Sequence, residues 1–308
     1  MTLVIAGYSY DGFAQESIYF AADSNISQNN IVLVNGFKKV IEMPIKLKVL
    51  SFSGEWFNDY RDKLTIDANC AIAFAGSTLV AQHMINSIKN HLSNLYPSYK
   101  KGQYILSMMC EGHKHLRNGY YDESMFTTEH LNSLINAKYI SDVVEHSINS
   151  VLNQARKFNS MKRNFGAYQA EFILGIQCPQ TRNYHIYKYE IVENEKQDAI
   201  VKRTEINKSS VATIGSAKYK QDLFQHEIFK TAFGNRVFYY NKTNPLAYVT
   251  KVGSFSLAHD YTNANLRIYK LLNETIEYEN NNRVIIIGKP SVLYKLENGI
   301  LRNVKIET

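Results

Sequence analysis

Two apolar runs, LVIAGY at residues 3–8 and SIYFAA at 17–22, face each other across a polar turn containing Asp11-Gly12. Asp-Gly between runs of this kind signals a β-hairpin, because its second residue accepts the left-handed backbone that tight turns require. The strand pattern resumes at 31–42 and 45–53 and ends in a short run, CAIAFAG, closed by Gly76. At Ser77 the period changes. From Leu79 to about Leu95 apolar residues recur at Val80, Met84, Ile85, Ile88 and Leu92, the spacing of one helical face. Gly76 therefore marks a junction between strand and helix.

Further helices are expected over 140–157, about 217–231 and about 255–278, with strands at 169–177, 183–192, 210–215, 283–288 and 291–296. Strands gathered in three places with helices between them imply an α+β fold, a four-layer αββα sandwich of two stacked, mainly antiparallel sheets. No repeat, low-complexity tract or long linker divides residues 1–308, so a single domain is expected. The tyrosine-rich segment at about 97–138 is irregularly patterned and reads as an insertion on that domain.

Composition narrows the function classes. No run approaches about 18 consecutive apolar residues, and no basic segment precedes an apolar one, so neither a membrane span nor a signal peptide is expected. The three cysteines are widely spaced, which fits a reducing, cytoplasmic setting without disulfides. A net charge of +7 is spread along the chain with no nucleic-acid motif, so no nucleic-acid partner is expected. Cys110, His113 and His115 form CxxHxH, but no fourth ligand stands out; neither a metal nor another cofactor is inferred.

Chemistry centres on Thr2. With Met1 removed, its hydroxyl and free α-amine share one residue, and an amine with a pKa of roughly 7.7–8.0 can take the hydroxyl proton near neutrality. Read alone, each companion residue has a second explanation. Asp23 serves equally as a strand-end turn residue and Lys39 as a solvated charge. Gly76 can simply start a helix, Ser216 can cap one, and Phe37 and Phe74 can be core residues.

The order hairpin, AADSNIS, KKVIEMP, FAGST, helix resembles the proteasome β-subunits and their simpler relatives among the N-terminal nucleophile (Ntn) hydrolases. Asp23 and Lys39 stand 16 positions apart, the spacing of that family's aspartate and lysine. ATIGS at 212–216 and the closing IIIGKPSVLYKL extend the likeness over nearly the whole chain. The resemblance implies a catalytic set of Thr2 as nucleophile, Lys39 as the cation beside it, Asp23 holding Lys39, Gly76 donating to the oxyanion, and Ser216 as auxiliary. It further implies substrate contacts from Ile26, Ser27, Phe37, Phe74 and Thr78, with an apolar pocket. The implied function is a threonine-type peptidase or amidohydrolase acting through an acyl-ester on Thr2, assembled as a homo-oligomeric ring or other chamber, its partner a peptide or amide substrate. A catalytically silent assembly protein and an amidase for small amides are the alternatives.

Overall fold

The computed structural model describes residues 2–9, 16–28, 31–108, 123–158, 165–195, 198–208, 211–215, 238–239, 249–250, 264–281 and 287–308. In chain order the strands are β1 (Leu3–Ser9), β2 (Ser17–Ala22), β3 (Ile26–Gln28), β4 (Ile31–Val34), β5 (Val40–Ser53), β6 (Trp56–Gly76), β7 (Leu95–Lys100), β8 (Gln103–Met108), β9 (Ala170–Gln177), β10 (Tyr184–Glu193), β11 (Ala199–Ile206), β12 (Val211–Gly215), β13 (Phe238–Tyr239), β14 (Val249–Thr250), β15 (Ser291–Glu297) and β16 (Ile300–Glu307). The described α-helices are α1 (Thr78–Leu92), α2 (Thr128–Leu134), α3 (Ala137–Ala155) and α4 (Ala264–Asn281).

Five strands form one sheet in the order β12-β1-β2-β15-β16, and seven form a second in the order β11-β10-β9-β6-β5-β7-β8. Pairing is antiparallel throughout except for β5 with β7, which meet in parallel at Leu47 and Leu95. Alternation along β1 and β2 explains why both read as unbroken apolar runs. Val4, Ala6, Ile18 and Phe20 turn toward Ala71, Ala73, Ala75 and Ile173 of the larger sheet. Leu3, Ile5, Tyr19 and Ala21 turn the other way, onto Ile268, Leu272 and Ile276 of α4. The opposite face of the larger sheet buries Ile72, Phe172 and Leu174 with Met84, Ile85 and Ile88 of α1 and Val144 and Ile148 of α3. Burying a side chain such as Phe172 fully contributes roughly 1.5–3 kcal/mol.

The expectation of a four-layer αββα sandwich is corrected. Among the described residues 51% are strand, with a curled half-barrel sheet, further small sheets and few helices. The cause lies in β5 and β6, which are 14 and 21 residues long and pair along their whole length. Their register shifts at Leu47/Lys48, Lys48/Val49 and Ser51/Phe52 bend the pair. Each such bulge adds local twist, so the sheet coils instead of lying flat as a layer. No described helix is long and apolar enough to cross a membrane.

Other differences are local. Strand pattern was expected to stop at 42 and restart at 45, but β5 runs through Pro44, which pairs with Asn69. Proline lacks only the donor, and β5 meets its other neighbour at a single later position, so no ladder bond is lost there. Residues 95–108, partly inside the tyrosine-rich segment, form the β7–β8 hairpin, while 109–122 lie outside the described residues, CxxHxH included. The helix expected at 217–231 and the strand at 283–288 fall outside the described residues wholly or in large part.

Candidate active site

At the start of β1, Asp23 extends the hairpin pairing beyond β2. Its N–H donates to the Leu3 carbonyl at 3.2 Å, and its Oδ1 accepts the Leu3 N–H at 2.8 Å. The residue after Thr2 is thus held on both of its backbone polar groups by one aspartate. Thr2 itself is 8% exposed. Lys39, just ahead of β5, donates from Nζ to the same Asp23 Oδ1 at 2.7 Å and to the Asn25 carbonyl at 2.6 Å. Asn25 N–H donates to Asp23 Oδ2 at 3.2 Å, so the carboxylate accepts from three donors.

The Lys39 and Asp23 side chains are 2% and 0% exposed. Removing two charges from water is costly, and their mutual attraction with the added hydrogen bonds offsets that cost only in a geometry of this kind. Burial lowers the Lys39 ammonium pKa below its usual 10.5, against the opposing pull of Asp23. An ammonium has three donors and two are engaged, which leaves one without a partner among the described residues.

Gly76 lies on the same side. The Phe74 N–H donates to the Lys39 carbonyl at 3.1 Å, and Gly76 follows two residues later at the end of β6. Its φ of 102° excludes other residues, and a Cβ there would fall 2.1 Å from the Gln169 carbonyl oxygen. The backbone of Gly76 is exposed at the entrance to α1, and Ser77 N–H is already given to Gln169 O at 2.8 Å.

Three residues that the sequence did not point to complete the surroundings. Gly215, φ 109°, lies opposite Leu3, and a Cβ on it would sit 1.8 Å from the Thr2 carbonyl oxygen. Its N–H donates to Glu171 Oε2 at 2.8 Å. Glu171 belongs to β9 and stands opposite Ala75, so this bond ties the smaller sheet to the larger beside Gly76. The signal was a single carboxylate inside the otherwise apolar AEFILGI. Ser24, also missed, accepts from Gly36 N–H at its hydroxyl and from Phe37 N–H at its carbonyl, which anchors the loop leading to Lys39.

Of the residues assigned by sequence, Thr2, Asp23 and Lys39 gather around Leu3, with Gly76 reached through Phe74. Ser216 lies outside the described residues. Phe37 and Phe74 meet edge to face at 5.9 Å, Phe74 buried in the core under α1 and Phe37 half-buried against it. Ile26 and Ser27 are half-buried in β3, and Thr78 is the half-buried first residue of α1. Among the described residues no group of three or more His, Cys, Asp or Glu side chains could hold a metal ion.

No family model matches the sequence, and no curated protein matches it. Among solved structures the chain is similar to Anbu (ancestral beta-subunit) from Yersinia bercovieri, with 12% identity, a TM-score of 0.45, and coverage of 98% of this chain and 87% of that one. A likeness so slight assigns neither family nor activity. The resemblance to proteasome β-subunits and other Ntn hydrolases is therefore corrected: segments such as AADS and FAGST are four or five residues long and serve any strand end or strand-to-helix turn, so they do not define a family on their own.

Proposed function

We propose that the chain hydrolyses amide bonds, with Thr2 as nucleophile once the residue before it is removed. One observation carries this reading: Asp23 binds the Leu3 N–H and the Lys39 ammonium through the same oxygen, which ties a buried cation to the residue next to Thr2. In the proposed reaction Thr2 Oγ attacks the substrate carbonyl carbon and its proton passes to the Thr2 α-amine. The Lys39 charge, tied through Asp23 to the residue next to Thr2, lowers the pKa of both hydroxyl and amine in this reaction. The Gly76 N–H, at the positive end of α1, stabilises the oxyanion; one such donor contributes about 2.7–4 kcal/mol to the transition state. The C–N bond then breaks, the amine leaves with the proton from the α-amine, and an ester remains on Thr2. Water attacks that ester, the α-amine now accepting its proton, and the acid is released with the hydroxyl restored. In this reading Phe37 and Thr78 contact the acyl side chain, and Ser27 contacts the substrate backbone.

The test is a threonine-directed acylating inhibitor applied to the processed protein and read by mass spectrometry of the peptide that begins with Thr2. An adduct on Thr2 in the wild type, absent in Lys39→Ala, supports the reading. No adduct on the processed wild type, or equal labelling of Lys39→Ala, overturns it.

A further inference from the structure

A second site lies at the opposite end of the sheets. A cleft of about 940 Å³ opens where the β9–β10 turn, the β15–β16 turn, the middle of β6 and helix α2 converge. It is remote from Thr2. Gln177 lines it, while Ala170, at the other end of the same strand, pairs with Gly76. Seven residues of strand at about 3.3 Å each separate the two by roughly 23 Å.

Its walls differ in charge. On α2, Glu129, Asn132 and Ser133 line the cleft, and their i, i+3, i+4 spacing puts them on one helical face. Leu131, on the other face, is buried in the core and fixes the helix. The β9–β10 turn supplies Gln180 and Arg182. That turn is held closed by Cys178 N–H to Asn183 O at 2.7 Å, Arg182 N–H to Cys178 O at 2.9 Å and Gln177 Nε2 to Arg182 O at 3.2 Å. Arg182 is kept at φ 62°, a conformation unfavourable for a residue with a side chain. Asn298, also lining the cleft, sits at φ 52° with its N–H on the Tyr184 hydroxyl at 2.9 Å.

Glu129 and Arg182 are both exposed, and neither forms an ion pair with any described residue, the other included. A carboxylate and a guanidinium kept apart on two walls of one cleft suit a ligand that carries both charges. The amides of Asn69, Asn132 and Gln180 each offer a donor and an acceptor, the complement of a peptide group. Ala68, Pro179 and Ile300 add apolar surface, while the polar groups decide which ligand fits. The volume is at the upper end of the roughly 300–1,000 Å³ of small-molecule sites, room for several residues.

We propose that this cleft binds a short peptide with both termini free, its carboxylate on the Arg182 fork and its ammonium at Glu129. The ligand class matches what amide hydrolysis releases, but the cleft does not depend on Thr2 being a nucleophile.

Calorimetric titration of the Thr2→Ala chain with trialanine, N-acetyl-trialanine and trialanine amide tests the proposal without any hydrolysis. Trialanine is expected to bind, and each cap to weaken binding at least tenfold. Arg182→Gln should weaken the free and acetylated peptides while leaving the already weakened amide unchanged; Glu129→Gln should do the converse. No binding of trialanine up to millimolar concentration, or equal binding of capped and free peptides, overturns it. A collapse of binding for all three peptides in Arg182→Gln with an unchanged melting temperature also overturns it, since it would mean that the terminal carboxylate is not what Arg182 holds.

Discussion

The two ends of the sheets handle charge in opposite ways. Around Thr2, Lys39 and Asp23 are 2% and 0% exposed and joined at 2.7 Å. In the cleft at the far end, Glu129 and Arg182 are exposed and engaged with no described charge. A buried pair is fixed in place and cannot release its partner for a ligand, but it holds neighbouring atoms to within a fraction of an ångström. An exposed separated pair holds nothing rigid and is free to exchange water for a ligand. The first arrangement suits bond making at a set position; the second suits reversible binding.

The contrast breaks first on Lys39. In Lys39→Met the Asp23 carboxylate stays buried without its cation, and urea unfolding is expected to show a loss of about 3–5 kcal/mol. Arg182→Gln should move stability by no more than about 0.5 kcal/mol. Similar losses for the two would show that the pair near Thr2 is not special. Next in size is Gly215→Ala, whose Cβ would lie 1.8 Å from the Thr2 carbonyl. Backbone strain of this kind costs about 1–3 kcal/mol, and the variant should also lose labelling of Thr2. The smallest effect, and the sharpest, is in pH. Because the folded state lowers the Lys39 pKa, the unfolded chain holds that proton more tightly, so this group's contribution to stability rises as pH climbs from the lowered value toward 10.5 and falls away below it. Activity should run the other way, since the proposed chemistry needs the ammonium: kcat/KM should fall on the alkaline side before the ordinary lysine range. Parallel pH titrations of unfolding and hydrolysis check this, and curves that move together would remove Lys39 from the mechanism.

Buried elements were legible in the sequence, and exposed ones were not. β1, β2, α1, α3 and β9 carry apolar periods because neighbours cover them, and each lies close to where periodicity puts it. The first part of β6, WFNDYRDKLTID, reads as polar chain, yet it pairs with β5 across three register shifts. A two-stranded ribbon satisfies its backbone by pairing alone and needs no regular apolar face, so no period is written into it. β16 escaped for the same reason: as an edge strand it leaves most of ILRNVKIE exposed. At the site, Asp23 and Lys39 stood out only through the resemblance and its 16-position spacing, because a charge at a strand end is ordinary in itself. Glu171 did not, because its role depends on a neighbour 44 positions away, Gly215, that only the folded sheets bring near. The coil of the larger sheet was equally invisible, since bulges arise from pairing between strands rather than from either strand alone.

The double grip of Asp23 on Leu3 has a bearing on maturation. Chain ends ordinarily fray because nothing past the last residue restrains them. Here the anchor falls one residue inward of Thr2, so trimming the preceding peptide bond severs no hydrogen bond that Asp23 makes. The bonds that position Leu3 are therefore the same before and after such a cut.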